Sequence, residues 1–552
     1  MSEVYDVVIV GTGAGGSTMA MELTQRGLKV LSLEYGPDVR PSQLMSMEMF
    51  YQAFRRVPYP ELKPWLSGRP EPNWKNGKYF VTKQESNYTT VGEDWRWRRY
   101  RLIGGRTKFW NCMSPRFSPR DFMAALEDGY GEPWPITYQD IEPYYDRIET
   151  MAGFCGGSID HPECPKGKYM PGAPFRCGER IAHDAIQRIG NPALAYLQSP
   201  MAIITRQHNG RAPCHYCGHC VDGCATASKF DGAQVFLPLA HKTGRYTVRT
   251  NSVVAEVLID PNTGKARGVR YIDRETKQDG EALGKVVVLS ASAFESARIL
   301  LNSKSRQYPN GLANSSGQVG RNIVDHIQCE GYGSLPQLYG MESMNTDSYG
   351  DGAYMPRFNR SYQKSLGYIR GFGIQSGSGH GIASRYPGFG SSLKKAIKRR
   401  YMSWFGFGCF GERLANPETY MEIDPSGEKD IYGIPTIRIH AKTGDNEKKM
   451  FKDMQNQLRM LLEACKAEDV AITQELSPPG WSEHEVGTCR MGKNPKTSVT
   501  NAFGQTHDVK NVFIADGGLF TQSSEKSPTV TIMALSLREA EYLAGEFQSG
   551  NL

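Results

Sequence analysis

The first thirty-five residues constrain this chain more than any other stretch. Residues 5–10 (YDVVIV) are a short apolar run, of the kind buried on both faces of a parallel sheet. Gly11, Gly13 and Gly16 follow as G-x-G-x-x-G, with Ala14 inside the motif. A helical pattern then runs to Arg26 and breaks at Gly27, and a second apolar run over 29–33 ends at Glu34. Gly11 permits a tight turn, Gly13 lets backbone N–H groups approach a pyrophosphate, and Gly16 lets the helix lie close on the strand. Glu34 stands near the distance of about 20 residues at which an acid can accept from a ribose 2′-OH. Strand, glycines, helix, strand and acid in register predict a dinucleotide-binding βαβ unit. The motif alone does not separate FAD from NAD.

At 552 residues the chain is long enough for two or more domains. Hydrophobic residues are 39% and charged residues 22%, which predicts a folded globular protein. A net charge of +7 is mild for this length and basic stretches alternate with acidic ones, so nucleic-acid binding is not expected. No apolar run approaches the roughly 18–20 residues that span a bilayer. The N-terminus enters the first strand directly and leaves no room for a signal peptide. The expected location is cytoplasmic, or periplasmic if the chain is exported with a partner subunit.

Four of the twelve cysteines, Cys214, Cys217, Cys220 and Cys224, fall within eleven residues; the others are scattered, as buried thiols would be. Their C-x₂-C-x₂-C-x₃-C spacing is that of a ferredoxin-type iron–sulfur run, although Ala225 stands where that run has proline. Zinc ligands, which usually come as pairs separated by a longer loop, and free structural thiols are the alternatives.

Between 40 and 110 the sequence is irregular and aromatic. Trp65, Trp74, Trp95, Trp97 and Trp110 are expected mainly to pack this excursion onto the nucleotide domain, with some rings lining a substrate cleft. A second glycine pair, Gly104-Gly105, sits in RLIGGRTKFWNCMSPR (101–116) and suggests backbone lying against a planar ligand. Residues 134–149 read as a turn and an amphipathic helix. Residues 246–257 read as edge strand, 285–290 as a buried strand, and 291–302 as a helix. This second β–α crossover, far along the chain, predicts a doubly wound α/β domain with inserted pieces. Leu393, Ile397, Tyr401 and Trp404 predict a helix on the surface; a lid or a docking patch for a partner or membrane is the alternative. Near the C-terminus come WSEHEVGTCRMG (481–492), NVFIADGG (511–518) and SPTVTIMALS (527–536), the last opening a helix that runs to about Glu546.

Together these stretches, with WPITYQDIEPYY (134–145) and VGRNIVDH (319–326), resemble the glucose–methanol–choline (GMC) family of flavoenzymes from Asp6 to Leu543. The resemblance implies a Rossmann-type FAD-binding domain assembled from residues 1–40, 86–125, 205–330 and 480–552. The interleaved segments 41–85, 126–204 and 331–479 would form an α+β substrate domain on an antiparallel sheet. It also implies that Gly11, Gly13, Ala14, Gly16 and Glu34 hold the pyrophosphate and adenosine. Val254 would meet the adenine, Gly104, Gly105 and Asn111 the isoalloxazine, and Asp516 and Gly517 the ribityl-pyrophosphate. Pro528 and Thr529, at a helix N-terminus, would face the flavin's pyrimidine end. Where pyranose oxidases of the family have the histidine that bonds FAD covalently, this chain has Phe109, so non-covalent FAD is expected.

Alcohol oxidation needs a base for the hydroxyl proton and an acceptor for hydride. The family position implies His484 as base and flavin N5 as acceptor. The second catalytic position, His or Asn in the family, falls on Ser527, with Lys526 or Glu525 as possible substitutes. His326 is expected to be structural and His507 either structural or functional. The nearest type within the family is the bacterial FAD sugar dehydrogenase, in particular glycoside 3-dehydrogenase. That implies a sugar or glycoside substrate oxidised at a secondary hydroxyl, an iron–sulfur relay, and a possible small subunit and cytochrome c acceptor. An alcohol, sterol or pyranose oxidase using O₂, and a non-catalytic flavin redox subunit, are the competing readings.

Overall fold

The computed structural model describes residues 3–40, 43, 77–157, 161–341, 352–379 and 386–552. Trp65 and Trp74 lie outside these.

One seven-stranded sheet carries the nucleotide half. Strand Val4–Val10 lies between Val30–Leu33 and Asp279–Leu289, parallel to both. Tyr246–Arg249 extends the sheet beyond Val30–Leu33, and Val512–Ile514 adds to the far edge of Asp279–Leu289, again in parallel. Parallel strands covered by helices on both faces need apolar side chains on both. The sequence obeys this: Val7, Val8, Ile9, the run Val286–Leu289 and the run Val512–Ile514 are all fully buried. Only the first half of Asp279–Leu289 leaves this pattern, pairing antiparallel with Ala266–Asp273, which in turn pairs with Ser252–Ile259.

The helix Ala14–Gln25 leaves the first strand and packs against the C-terminal helix Thr529–Gln548. Glycine makes the joint possible. A Cβ on Gly11, whose φ is +95°, would stand 2.3 Å from the Ser290 carbonyl oxygen; on Gly16 it would stand 2.1 Å from that of Gly11. Gly15 is equally constrained, its Cβ falling 1.8 Å from the Ala515 carbonyl oxygen. The helix start is thus pressed onto the ends of three strands.

The second half is antiparallel. Glu468–Ile472, His326–Ser334, Trp404–Glu412, Phe372–Gly379, Ala353–Met355 and Leu197–Gln198 form a six-stranded sheet in that order. The helix Asp445–Ala464 covers it, burying Met450, Met454, Leu458 and Leu461. This is the Rossmann-type domain with its antiparallel-sheet companion. The helix expected around 393–401 is Gly390–Arg400 and has no buried residue. Trp404 instead begins a strand and stacks on Tyr332 at 5.4 Å. Trp95 and Trp97 are buried edge-on against Phe294, as packing residues.

Candidate active site

The C-terminal ends of the parallel strands open into one cleft enclosing about 1530 Å³ of empty space, part of it open to solvent. Concave sites of this kind, with apolar walls and a few convergent polar groups, are where small ligands and cofactors bind. Gly11, Gly13, Ala14 and Glu34 line one end, with Val254. Gly105 lies against Gly13, and His484, Asp516, Gly517, Pro528 and Thr529 complete the wall. Trp110 also reaches the cleft, its indole N–H donating to the Phe230 carbonyl at 2.9 Å.

Four expected residues are not on the wall. Gly16 serves helix packing, as above. Gly104, with φ +90°, lies against Asp231, whose Oδ1 would be 2.4 Å from a Cβ there. Asn111 and Ser527 also stand back from the cleft, Ser527 only 6% exposed.

The residues fit a dinucleotide. A Cβ on Gly13 would meet nothing within 4 Å, unlike those on Gly11, Gly15 and Gly16, so the open space lies where a phosphate must approach backbone. The helix starting at Ala14 has no acidic residue in its first turn, nor has the one starting at Thr529, for which Pro528 is the N-cap. Two uncompensated helix N-termini therefore face the cleft, and each favours negative charge.

Hydrogen bonds stitch the two glycine turns together. Glu34 Oε2 accepts from the Thr12 hydroxyl at 2.6 Å and the Thr12 N–H at 3.2 Å; Oε1 accepts from the Gly36 N–H at 3.1 Å. The Thr12 hydroxyl accepts in turn from the Gly104 N–H at 3.1 Å. Burial outweighs these bonds and pushes the Glu34 carboxyl up to about 7. Asp516 is similar: it accepts from Ser296 at 2.6 Å and the Gly518 N–H at 2.8 Å, and burial raises it to about 6.

His484 is half-buried on the cleft wall, with its Nδ1 out of reach of solvent, and its main-chain N–H donates to Asp325 Oδ1 at 3.1 Å. Burial, with His326 and the Arg106 cation nearby, holds its pKa well below the ordinary histidine value. The ring is therefore neutral at neutral pH, the state that accepts a proton. Arg106 ties the second glycine turn to the His484 loop. It grips Glu485 through Nη1 at 2.6 Å and Nη2 at 3.3 Å, and donates to the Glu483 carbonyl and to that of Arg98. Neither Arg106 nor Glu485 is marked as a partner by sequence spacing, because the pair spans most of the chain. Their presence inside two of the glycine and histidine motifs was the one available signal.

The possible substitutes for Ser527 are occupied elsewhere. Lys526 Nζ lies 2.6 and 2.7 Å from the two Glu525 oxygens and 3.1 Å from Asp121. Arg357 bridges Asp121 at 2.9 Å, Glu163 at 2.6 Å, and Glu412. This network is fully buried behind the active-site wall. His507 bonds Ser498 at 2.9 Å and is structural.

The cysteine loop departs from expectation. Among the described residues, no three His, Cys, Asp or Glu side chains are grouped to hold a metal ion, and Cys214, Cys217, Cys220 and Cys224 are half-buried thiols that form no disulfide. They make local contacts instead: Cys214 Sγ accepts from the Tyr216 N–H at 3.3 Å, Cys224 meets the Thr226 hydroxyl at 3.5 Å, and Cys220 approaches Cys112. Burial pushes the Cys214 thiol up to about 12 and raises that of Cys217. As arranged, the loop does not fit a cluster.

Comparison with known proteins agrees with the geometry. The N-terminal and C-terminal GMC oxidoreductase family models match residues 87–328 and 416–536. The chain is 30% identical to 2-methyl-1,2-propanediol dehydrogenase of Mycolicibacterium austroafricanum, covering 98% of this chain and 95% of that protein. It is 27% identical to the fructose dehydrogenase large subunit of Gluconobacter japonicus, over 99% and 98% of the two chains. A formate oxidase structure from Aspergillus oryzae superposes with a TM-score of 0.66 at 14% identity, covering 99% of each chain, and shows the shared fold. The chain belongs to the GMC oxidoreductase family and is an FAD-dependent oxidoreductase acting on CH–OH donors.

Proposed function

We propose that this protein is a dehydrogenase that oxidises a secondary hydroxyl of a sugar or glycoside, at C3 of the ring, to a ketone. The observation that carries the chemistry is a neutral, half-buried His484 on the wall of the cleft that both helix N-termini face. In this reading His484 takes the hydroxyl proton; Ser527, at the position where the family has His or Asn, carries a shorter hydrogen-bonding group that would have to turn towards the cleft to reach the substrate. Bound FAD would supply the hydride acceptor, held without a covalent bond because Phe109, packed among Tyr79 and Tyr100, has no ring nitrogen to form one. Gly13, Ala14 and Glu34 would hold its pyrophosphate and adenosine, and Thr529 its pyrimidine end.

The sugar class draws on the fructose dehydrogenase relative, which is named as a large subunit; a small subunit and a cytochrome acceptor follow the same reading. Location in the cytoplasm, or in the periplasm beside such a subunit, belongs with it. No helix among the described residues is long and apolar enough to cross a membrane. A small 1,2-diol is the second reading, favoured by the relative at 30% identity. Cys214, Cys217, Cys220 and Cys224 are where an iron–sulfur relay would sit, and it would require the loop to rearrange. Iron and acid-labile sulfide analysis tests it separately.

The substrate reading is tested by anaerobic mixing of the flavin-loaded protein with sugars, glycosides, small diols and steroids. Bleaching of the flavin by glycosides, with a 3-keto product, is expected. Bleaching by diols alone would overturn the sugar assignment, and peroxide formation under air at the rate of dye turnover would overturn the dehydrogenase one.

A further inference from the structure

The helix Gly390–Arg400 takes no part in the chemistry above, and none of its residues lines the cleft. It precedes the strand Trp404–Glu412 of the antiparallel sheet and is tied to the edge strand Glu468–Ile472. Leu393, Ala396, Ile397 and Arg400, at the i, i+3, i+4 and i+7 spacing of one helix face, are half-buried. Ser391, Ser392, Lys394, Lys395, Lys398 and Arg399 make the opposite face and are exposed. Arg400 is the anchor: it pairs with Asp469 and lies over the rings of Tyr339 and Tyr386 at 5.3 and 5.6 Å. The Gly340 N–H donates to the Arg399 carbonyl at 2.7 Å and fixes the C-terminal end.

Two features of the outward side do nothing for the fold. Among the described residues, the only ion pairs of this helix are those of Arg400, with Asp469 and Glu468. Lys394, Lys395, Lys398 and Arg399 therefore present their charges to solvent. Cations in the last turn suit the helix dipole, which accounts for Lys398 and Arg399 but not for Lys394 and Lys395, a turn earlier. The second feature is apolar. Phe389, at the N-cap, is 88% exposed, more than any other large apolar side chain among the described residues. It stands between Gly388 and Gly390, at φ +108° and +68°, where a Cβ would meet nothing within 4 Å. At the other end of the helix Met341 and Tyr401 are exposed as well. A lysine-rich face flanked by exposed apolar side chains is the composition that settles at the boundary of a bilayer.

We propose that this helix, with Phe389, is a docking surface on which the protein rests against an anionic membrane. Lys394, Lys395, Lys398 and Arg399 meet the lipid phosphates, and Phe389 and Met341 enter the headgroup layer at either end. The charges are complementary, and each cation near such a surface changes partitioning about fivefold. Attachment of this kind needs no spanning segment. An acidic protein is the competing occupant, and two observations count against it. Protein interfaces are depleted in lysine and enriched in arginine, whereas three of these four cations are lysine. Their apolar anchors also cluster at the centre of the patch, whereas Phe389 and Met341 flank this one. The surface concerns where the enzyme works and is independent of the substrate reading.

Sedimentation of the flavin-loaded protein with vesicles tests the proposal. Vesicles of phosphatidylcholine with about one third phosphatidylglycerol should carry the protein down at low salt, and salt at about 1 M should release most of it. Vesicles of phosphatidylcholine alone should leave it in solution. The triple change Lys394→Gln, Lys395→Gln and Lys398→Gln should weaken partitioning about 100-fold, and Phe389→Ser about tenfold. Dye-coupled turnover should stay at the wild-type rate in both, since these side chains are exposed and far from the cleft wall. Poly-glutamate on beads is the probe for an acidic protein partner. Phe389→Ser that binds poly-glutamate like the wild type but vesicles more weakly supports the lipid assignment. Wild-type binding to poly-glutamate with none to the anionic vesicles would assign the patch to an acidic protein and overturn the proposal. Equal binding to neutral vesicles, or vesicle binding that survives the triple change, would overturn it too.

Discussion

The two ends of the cleft are built from different materials. At the nucleotide end the protein offers backbone: a turn where only glycine fits at Gly11, Gly15 and Gly16, and empty space in front of Gly13. At the reactive end it offers side chains held by buried charge. Arg106 clasps Glu485 beside His484, and Lys526, Glu525, Asp121, Arg357, Glu163 and Glu412 form a closed network next to Ser527. The first end tolerates no added atom at its joints. The second tolerates no lost partner, because removing one member of a buried ion pair leaves the other charged and desolvated.

Substitutions can break this contrast in order of severity. Gly15→Ala brings a methyl 1.8 Å from a carbonyl oxygen and is expected to cost upward of about 4 kcal/mol and abolish flavin binding. Gly13→Ala, two residues earlier, should fold at normal yield and lose only flavin affinity, about tenfold, read by flavin absorbance on dialysis. Equal damage from the two would erase the distinction between joint and cradle. At the other end Lys526→Met should cost about 3–5 kcal/mol in denaturant unfolding, with less added by a second change, Glu525→Gln.

Glu34 lies where the two materials meet and gives a smaller, pH-dependent effect. Its carboxyl is raised in the fold to about 7, from an ordinary value of 4.5. The folded flavin-free protein thus binds the extra proton more tightly than the unfolded chain. Stability from this group is fully present below about pH 4.5 and fades as pH rises through about 7. Glu34→Gln should therefore stabilise the flavin-free protein at pH 8, by about 1–3 kcal/mol, and bring no such gain at pH 4. Smallest of all, Ser527→Asn is expected to preserve or raise activity, since the amide returns the group the family uses; a folded but inactive variant would show that serine is required.

The same contrast explains what the sequence could reveal. The nucleotide end was legible because steric exclusion writes itself as glycine at fixed spacing between apolar strands, and local spacing is what a sequence displays. His484 was legible through its motif, and the antiparallel sheet through family resemblance. The pairs Arg106–Glu485 and Arg357–Glu163 were not, because each depends on segments far apart in the chain that only folding brings together. The cysteine run shows the converse: its spacing is a strong local signal, while the folded loop turns Cys214 and Cys224 to neighbours of their own and Cys220 towards Cys112. Asn111 and Ser527, assigned to the isoalloxazine and to the second catalytic position by alignment, are not among the residues that line the cleft.

The central claim is that a neutral imidazole at position 484 takes the substrate proton beside bound flavin. Single-turnover reduction of the flavin in His484→Asn, mixed anaerobically with a substrate that bleaches the wild type, tests it most directly. Flavin content should match the wild type while reduction slows about 10²-fold or more. In the wild type the acid limb of the reduction rate should lie well below pH 6.5, because burial keeps the ring unprotonated there. Reduction at the wild-type rate in a fully flavin-loaded variant would contradict the account.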